Sequence, residues 1–316
     1  MKGYQLEGFL AAGRERRSQS QRIQQWTRYR LRKNTPTPGS TIVQVMVAKK
    51  KSAANGSVAT RAQRQSPRTR TASAQSDAAQ PHFTEETFKF LRGLKRNNRR
   101  EWFQPRKEIF DRELRGPMLA VANAITHAMM DFAPAHMRPA EKTVMRIYRD
   151  TRFSADKSPY KKHLGAWWSR EGLEKTSGGG YYFHISPEEL VIAAGVYMPE
   201  RDQLLAIRRF LLEHHDELRR LLNDRKLKGK LQSFEGMPLT RPPKGFPAEH
   251  PAMDLIVYRQ WGLSTHLPAE TALQPDLVEQ IVSRFRLAAP LIDLLNTPLV
   301  ASLERKRRPL FGLLTR

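Results

Sequence analysis

Tyr181-Tyr-Phe-His-Ile-Ser-Pro-Glu-Glu-Leu190-Val-Ile-Ala-Ala-Gly-Val-Tyr197 is the stretch that decides the fold class. Tyr181, Phe183 and Ile185 fall on one side of an extended chain and Tyr182 and His184 on the other, which is the two-residue period of a strand. Ser186-Pro187-Glu188-Glu189 is a turn leading at once into Leu190 to Tyr197, so the two runs pair as an antiparallel hairpin. Thr143 to Tyr148 alternates likewise, with Thr143, Met145 and Ile147 opposite Val144, Arg146 and Tyr148. Leu255 to Trp261 is read as a further strand.

Helices surround these strands. Thr84 is a good N-cap, Glu85 and Glu86 sit at the positive end of the helix dipole, and Phe83 is placed to staple onto Phe88. That helix runs on through Leu91 and Leu94. Beyond Asn97-Asn98, the residues Trp102, Phe103, Ile109, Phe110 and Leu114 mark a second helical stretch, and Met118 to Met130 a third after Gly116-Pro117. An amphipathic helix from about Arg201 to Asn223 carries Leu204, Ile207, Leu211, Leu218 and Leu222 in one stripe. Leu277 to Leu295 is helical, with a break expected at Pro290. The fold class is α+β: an antiparallel sheet flanked by helices in a single domain, residues 81–300, with a basic C-terminal tail at 301–316.

The 316-residue chain has a formal net charge of +24. Residues 1–80 hold 16 Lys or Arg against 3 acids, a balance of +13 that leaves +11 for the remainder. From 48 to 80 there is hardly a large apolar residue, so this stretch cannot bury enough surface to offset the entropy of ordering and reads as a disordered tail. Ile23, Trp26, Tyr29 and Leu31 suggest a short basic amphipathic helix. A true start at Met46 and an Arg-rich transit peptide are the other readings of this segment. No cysteine is present, which excludes disulfides, thiolate metal sites and cysteine nucleophiles and fits a cytoplasmic location. Apolar runs such as Leu190 to Met198 fall short of the roughly 20 residues that span a bilayer. The basic balance makes nucleic acid or a phosphorylated ligand the first partner to consider. Oligomeric state is not set by the sequence.

The densest polar stretch runs from Arg146 to His163 and holds Arg146, Arg149, Asp150, Arg152, Asp156, Lys157, Tyr160 and Lys161. Its arginines offer planar forks to a phosphate or carboxylate, and Lys157 and Lys161 add point charges. The same residues could instead pin an irregular loop as an ion-pair network, with Phe153 and Tyr160 plugging into the core.

Arg146-x-x-Arg149-Asp150-x-Arg152-Phe153, followed by Asp156, Lys157 and Tyr160, resembles the hallmark of a bacterial family of conserved hypothetical proteins, domain of unknown function 2461. The resemblance also takes in Phe83-Thr84, Asn97-Asn98 to Trp102-Phe103, Gly180-Tyr181-Tyr182, Arg241 to Phe246 and His250-Pro251, and covers roughly residues 82–296. It implies a single-domain extent and brings no activity with it.

His163, His184 and His250, with Tyr182, are candidates to line a shared cleft, although their spacing matches no compact metal signature. His214 and His215, among Glu213, Asp216 and Glu217, read as a solvated helix face. No nucleotide-cradling glycine motif and no nucleophile elbow is present, so no cofactor is expected. Trp167 and Trp168 must point to opposite faces of a strand, which places one outside the core. Three function classes follow: an anion-recognising module using the arginine loop; a metal-independent enzyme in which Arg149 and Arg152 clamp a substrate while Asp150, Asp156 or His184 moves protons; and an interaction domain in which the motif is a fold staple.

Overall fold

The computed structural model describes residues 80–173 and 177–307. The expectations for a disordered basic tail, a helix around Trp26 and a start at Met46 lie outside the described residues. Those residues form one α+β domain around a five-stranded antiparallel sheet. Its strands are β1 (Leu164–Ser169), β2 (Gly180–Ile185), β3 (Glu189–Val196), β4 (Ser233–Glu235) and β5 (Trp261–Pro268), in the order β1-β2-β3-β5-β4. The β2–β3 hairpin holds the expected register, Tyr181 opposite Ala194 and Ile185 opposite Leu190.

Alternation divides the sheet into two unlike faces. Trp168, Tyr181, Phe183, Ile192 and Trp261 are buried on one side. Against that side pack α2 (Gly116–Ala128) and the long α4 (Leu277–Arg307), whose Phe285 meets the rings of Trp168 and Tyr181. The helix α1 (Glu85–Arg96) precedes them in the chain, and α3 (Arg201–Leu222) lies along α4. Trp167, Tyr182, His184 and Ala193 project from the other face and are only half-buried.

Local chemistry explains the helices. Thr84 and Thr87 form a capping box, and Phe83 and Phe88 are both buried as a staple requires. The chain then stays helical from Arg100 to Asp131 as a relay of short segments, passing through a π-turn at Asp111–Arg115 rather than breaking at Gly116-Pro117. Pro117 has no N–H for the Glu113 carbonyl four residues back. The Thr87 hydroxyl supplies that donor at 2.6 Å, so no buried acceptor is orphaned.

Four expectations are corrected. Thr143 to Tyr148 is not a strand: Thr143 ends a helical turn, and only isolated bridges at Val144 and Tyr148 tie the segment to its neighbours. Leu255 to Trp261 is not a strand either. Met253–Ile256 is a helical turn, and Arg208 from α3 takes the carbonyls of Ile256 (2.8 Å) and Tyr258 (3.0 Å), which removes them from any ladder. Pro290 does not end α4. It lies on the exposed side, where the carbonyl it cannot serve meets water, while Ala288, Ala289, Leu291 and Ile292 are buried and hold both halves in line. His214 and His215 are half-buried rather than solvated: α3 kinks at His214, which stacks on Phe210, and the His215 ring meets His250 at 5.7 Å.

Candidate functional site

The motif forms an irregular hairpin beside β1. Arg149 N–H donates to Pro159 (2.9 Å), Lys161 N–H donates to Ile147 (2.8 Å), and Tyr148 bridges Tyr160. Asn98 fastens its base. Its carboxamide oxygen accepts from Tyr160 N–H at 3.0 Å and its NH2 donates to Tyr160 C=O at 2.9 Å, so one side chain stands in for a neighbouring strand. Tyr160 is fully buried and stacks on Phe103 at 4.1 Å. We expect Asn98→Ala to cost about 1–3 kcal/mol, since both Tyr160 backbone groups lose their partner. Denaturant unfolding together with faster exchange of the Tyr160 amide would show it.

Above that base the charges pair off. Arg149 donates to Asp156 (2.5 Å), to the Ser158 hydroxyl (2.7 Å) and to the Ser154 hydroxyl (3.3 Å). Arg152 grips Asp150 with two bonds, at 3.0 and 2.7 Å. The Arg152 side chain and then its N–H draw the Asp150 carboxyl down to about 2. Ser158, through hydroxyl and N–H, and then Arg149 hold Asp156 well below the usual carboxylate range. Lys157 donates to the Thr151 carbonyl at 3.1 Å. Arg149 and Arg152 are therefore committed to carboxylates of their own loop. Phe153 does not plug into the core; it stands 94% exposed with the Arg152 guanidinium 5.6 Å from its ring centre. Arg146 is exposed beside a small cavity of about 230 Å³ lined also by Arg115 and Glu141.

A larger hollow, about 420 Å³, lies on the sheet face away from α2 and α4. Its floor is Ala193, Gly195 and Gly262 on the central strands, with Trp167, Tyr182 and Tyr197 as aromatic walls. One end is made by His163, His184 and His266. Bare backbone is required at Gly195, where a Cβ would fall 2.3 Å from the Trp261 carbonyl oxygen. At Gly165 a Cβ would come within 2.9 Å of the Tyr182 hydroxyl, so the missing side chain lets Tyr182 lie over β1.

Two of the rings at the histidine end, His184 and His163, are held neutral near pH 7. Burial, reinforced by His163 and His266, pushes His184 down to about 3, and burial and then Lys161 lower His163. Their rings lie 4.6 Å apart, and His266 Nδ1 sits 2.7 Å from Glu189. Burial, then Tyr197, raises Tyr182 and keeps its phenol protonated. The hollow thus offers an apolar, ring-lined body and a few neutral hydrogen-bonding tips, the usual make-up of a small-molecule site. Among the described residues no three His, Asp or Glu side chains gather as a metal site.

His163, Tyr182 and His184 do meet, as the sequence suggested, but His250 does not join them. Its Nδ1 accepts from Ala252 N–H at 3.1 Å in a turn packed near His215. His266 and Glu189 take that place and were not anticipated. The alternation of Gly262, Ser264 and His266 against Trp261, Leu263 and Thr265 was the signal available for β5.

No curated protein matches the chain. The family model for a conserved hypothetical protein, DUF2461, matches residues 86–294, from the first helix to near the middle of the last, and the chain belongs to that family.

Proposed function

We propose that this domain is a small-molecule-binding module whose site is the hollow on the exposed sheet face. One observation carries the proposal: residues without bulk, Ala193, Gly195 and Gly262, form the middle of the face between the rings of Trp167, Tyr182 and Tyr197. A larger side chain at the half-buried Ala193 would fill part of that space. A flat ring laid on the floor is bounded by aromatic surface at its edge, a favourable offset or edge-to-face contact. Arg149 and Arg152 then serve to hold the neighbouring hairpin in shape, which favours the staple reading for that pair over an anion clamp. A cytoplasmic location, expected from the cysteine-free sequence, goes with a metabolite as ligand.

The test is fluorescence titration with phenylnaphthylamine, an uncharged two-part aromatic probe, on the wild-type chain and on Ala193→Phe. The substitution fills the floor from a half-buried position without touching the core face. Saturable binding in the wild type, weakened about tenfold or more in a variant that melts normally, is the expected outcome. Equal binding by the two would remove the hollow as the site.

A second reading, single-stranded nucleic acid on the hairpin, is favoured by one observation, the bare Phe153 ring beside Arg152. A base stacked on an aromatic contributes about 1–3 kcal/mol. Under that reading Phe153→Ala weakens binding of a labelled oligonucleotide about tenfold at fixed salt; unchanged affinity rejects it.

A further inference from the structure

Of the three motif arginines, Arg146 is the one left without a carboxylate. Arg149 is paired with Asp156 and Arg152 with Asp150, whereas the Arg146 guanidinium makes no ion pair among the described residues. It lines the cavity of about 230 Å³ where the motif hairpin meets the helical relay. A second arginine, Arg115, lines the same cavity from the relay and is likewise without an ion pair among the described residues.

Both cations rise from backbone that is tied down. Met145 N–H donates to the Gly165 carbonyl at 2.9 Å and Lys161 N–H to the Ile147 carbonyl at 2.8 Å, so the chain is pinned on either side of Arg146. Arg115 is the last residue of the π-turn Asp111–Arg115, and Leu119 follows it by four residues, on the same side of the helix. The floor of the cavity is apolar: Phe110, Ile147 and Leu164 are buried, and Leu119 and Val144 are half-buried. Arg115, Glu141, Arg146 and Tyr148 are exposed and form its rim.

The rim charges do not neutralise one another. Glu141, in the helical turn Ala140–Thr143, pairs with neither arginine. Two guanidinium groups against one carboxylate leave the rim one net positive charge, so an incoming acid meets attraction. Its oxygens would gain charge-assisted hydrogen bonds from the arginines, while an apolar body attached to them would leave water for the floor. The cavity is smaller than the roughly 300 Å³ at which pockets for larger ligands begin, which limits that body to about one ring. We infer that this cavity binds a small organic acid, its carboxylate between Arg115 and Arg146 and its apolar body on Phe110, Leu119 and Leu164. The cavity has only Met145 in common with the sheet-face hollow, and the acid site does not depend on that hollow being occupied.

The experiment is nuclear magnetic resonance of the full chain with methyl-labelled leucine, titrated with benzoate, benzyl alcohol and acetate. Leu119 and Leu164 line this cavity and Leu263 lines the larger hollow, so their signals tell the two sites apart. Benzoate should move Leu119 and Leu164 saturably, leave Leu263 in place, and bind about tenfold or more tightly than either of the other probes. Arg115→Gln and Arg146→Gln, both at exposed positions and checked for unchanged melting, should each weaken benzoate binding about tenfold. Glu141→Gln, which removes a like charge from the rim, should tighten it about threefold. Benzyl alcohol binding as tightly as benzoate would overturn the acid end, and acetate binding as tightly would overturn the apolar floor. Unmoved Leu119 and Leu164 signals, undiminished binding in both arginine variants, or weaker binding in Glu141→Gln would overturn the site.

Discussion

Trp168→Ala should destabilise the domain by about 3–5 kcal/mol, and Trp167→Ala, one residue away, by a small fraction of that. Trp168 is fully buried between Phe183 and Phe285, and its indole N–H donates to the Thr126 hydroxyl at 2.8 Å. Truncation would leave a large cavity beneath α2 and α4 and remove one partner of a buried hydroxyl, two effects that add. Trp167 is half-buried on the other face, against Tyr182 at 6.2 Å, where solvent can fill the space it leaves. Its loss should appear instead as weakened binding of aromatic probes. Denaturant unfolding of both variants beside a probe titration separates the two roles; similar stability losses for the two would mean that the faces are not distinguished as described.

Acidification is the second large effect. His136 is buried, with its Nε2 3.1 Å from the Gly179 carbonyl and its ring against Tyr181 at 5.0 Å. Burial is the main cause that brings its pKa from 6.5 down to about 4, and the nearby Arg170 and Arg138 act the same way. A histidine whose folded pKa is depressed binds its proton more readily in the unfolded chain. Its contribution is therefore fully present above pH 6.5 and is lost as pH falls from there toward about 4. A shift of that size corresponds to about 3 kcal/mol at the acid end. Stability measured from pH 7 down to pH 4 should fall steadily, and His136→Gln should flatten the decline while lowering stability at pH 7. A profile with the same slope in both proteins would assign the acid sensitivity to other groups.

The β2–β3 hairpin and the divided fates of Trp167 and Trp168 were legible because a strand's two-residue period is written directly in adjacent side chains. The stripe on α3 was legible for the same kind of reason: Ile207, Leu211 and Leu218 are buried as their spacing requires. What could not be read depended on contacts distant in the chain. Pro290 is tolerated because of what its neighbours bury, and Leu255 to Trp261 fails as a strand because Arg208, some fifty residues earlier, takes its carbonyls. At the site, the types of the motif residues were plain but their pairing was not. Which Asp each Arg takes is fixed by the fold of a loop: Arg149 pairs with Asp156 and Arg152 with Asp150. His266 was missed because β5 was placed too early, so a residue that alternation would have put in one cross-strand row with Val191 and His184 had no strand to stand on.

Asn98 and Asn296 show how the two sides of the sheet are tied. Asn98 clamps both backbone groups of Tyr160, and Asn296 from α4 does the same for Gly179, accepting its N–H at 2.8 Å and donating to its C=O at 3.1 Å. The first fixes the hairpin that carries Lys161 and His163, and the second fixes the start of β2, which carries Tyr182 and His184. Two of the three segments that assemble the histidine end of the hollow are thus each held by a buried or half-buried carboxamide. Such supports keep a site in shape before a ligand arrives.

The central claim, that a ligand lies on the Trp167 face of the sheet, is most directly tested by indole N–H nuclear magnetic resonance. With the five tryptophan signals assigned by single Trp→Phe replacements, phenylnaphthylamine is titrated into the labelled full chain. The account predicts that the Trp167 signal moves saturably while those of Trp168 and Trp261, on the buried face, stay in place. Saturable binding that moves Trp102, in the first turn of the helical relay, and leaves Trp167 unmoved would contradict it.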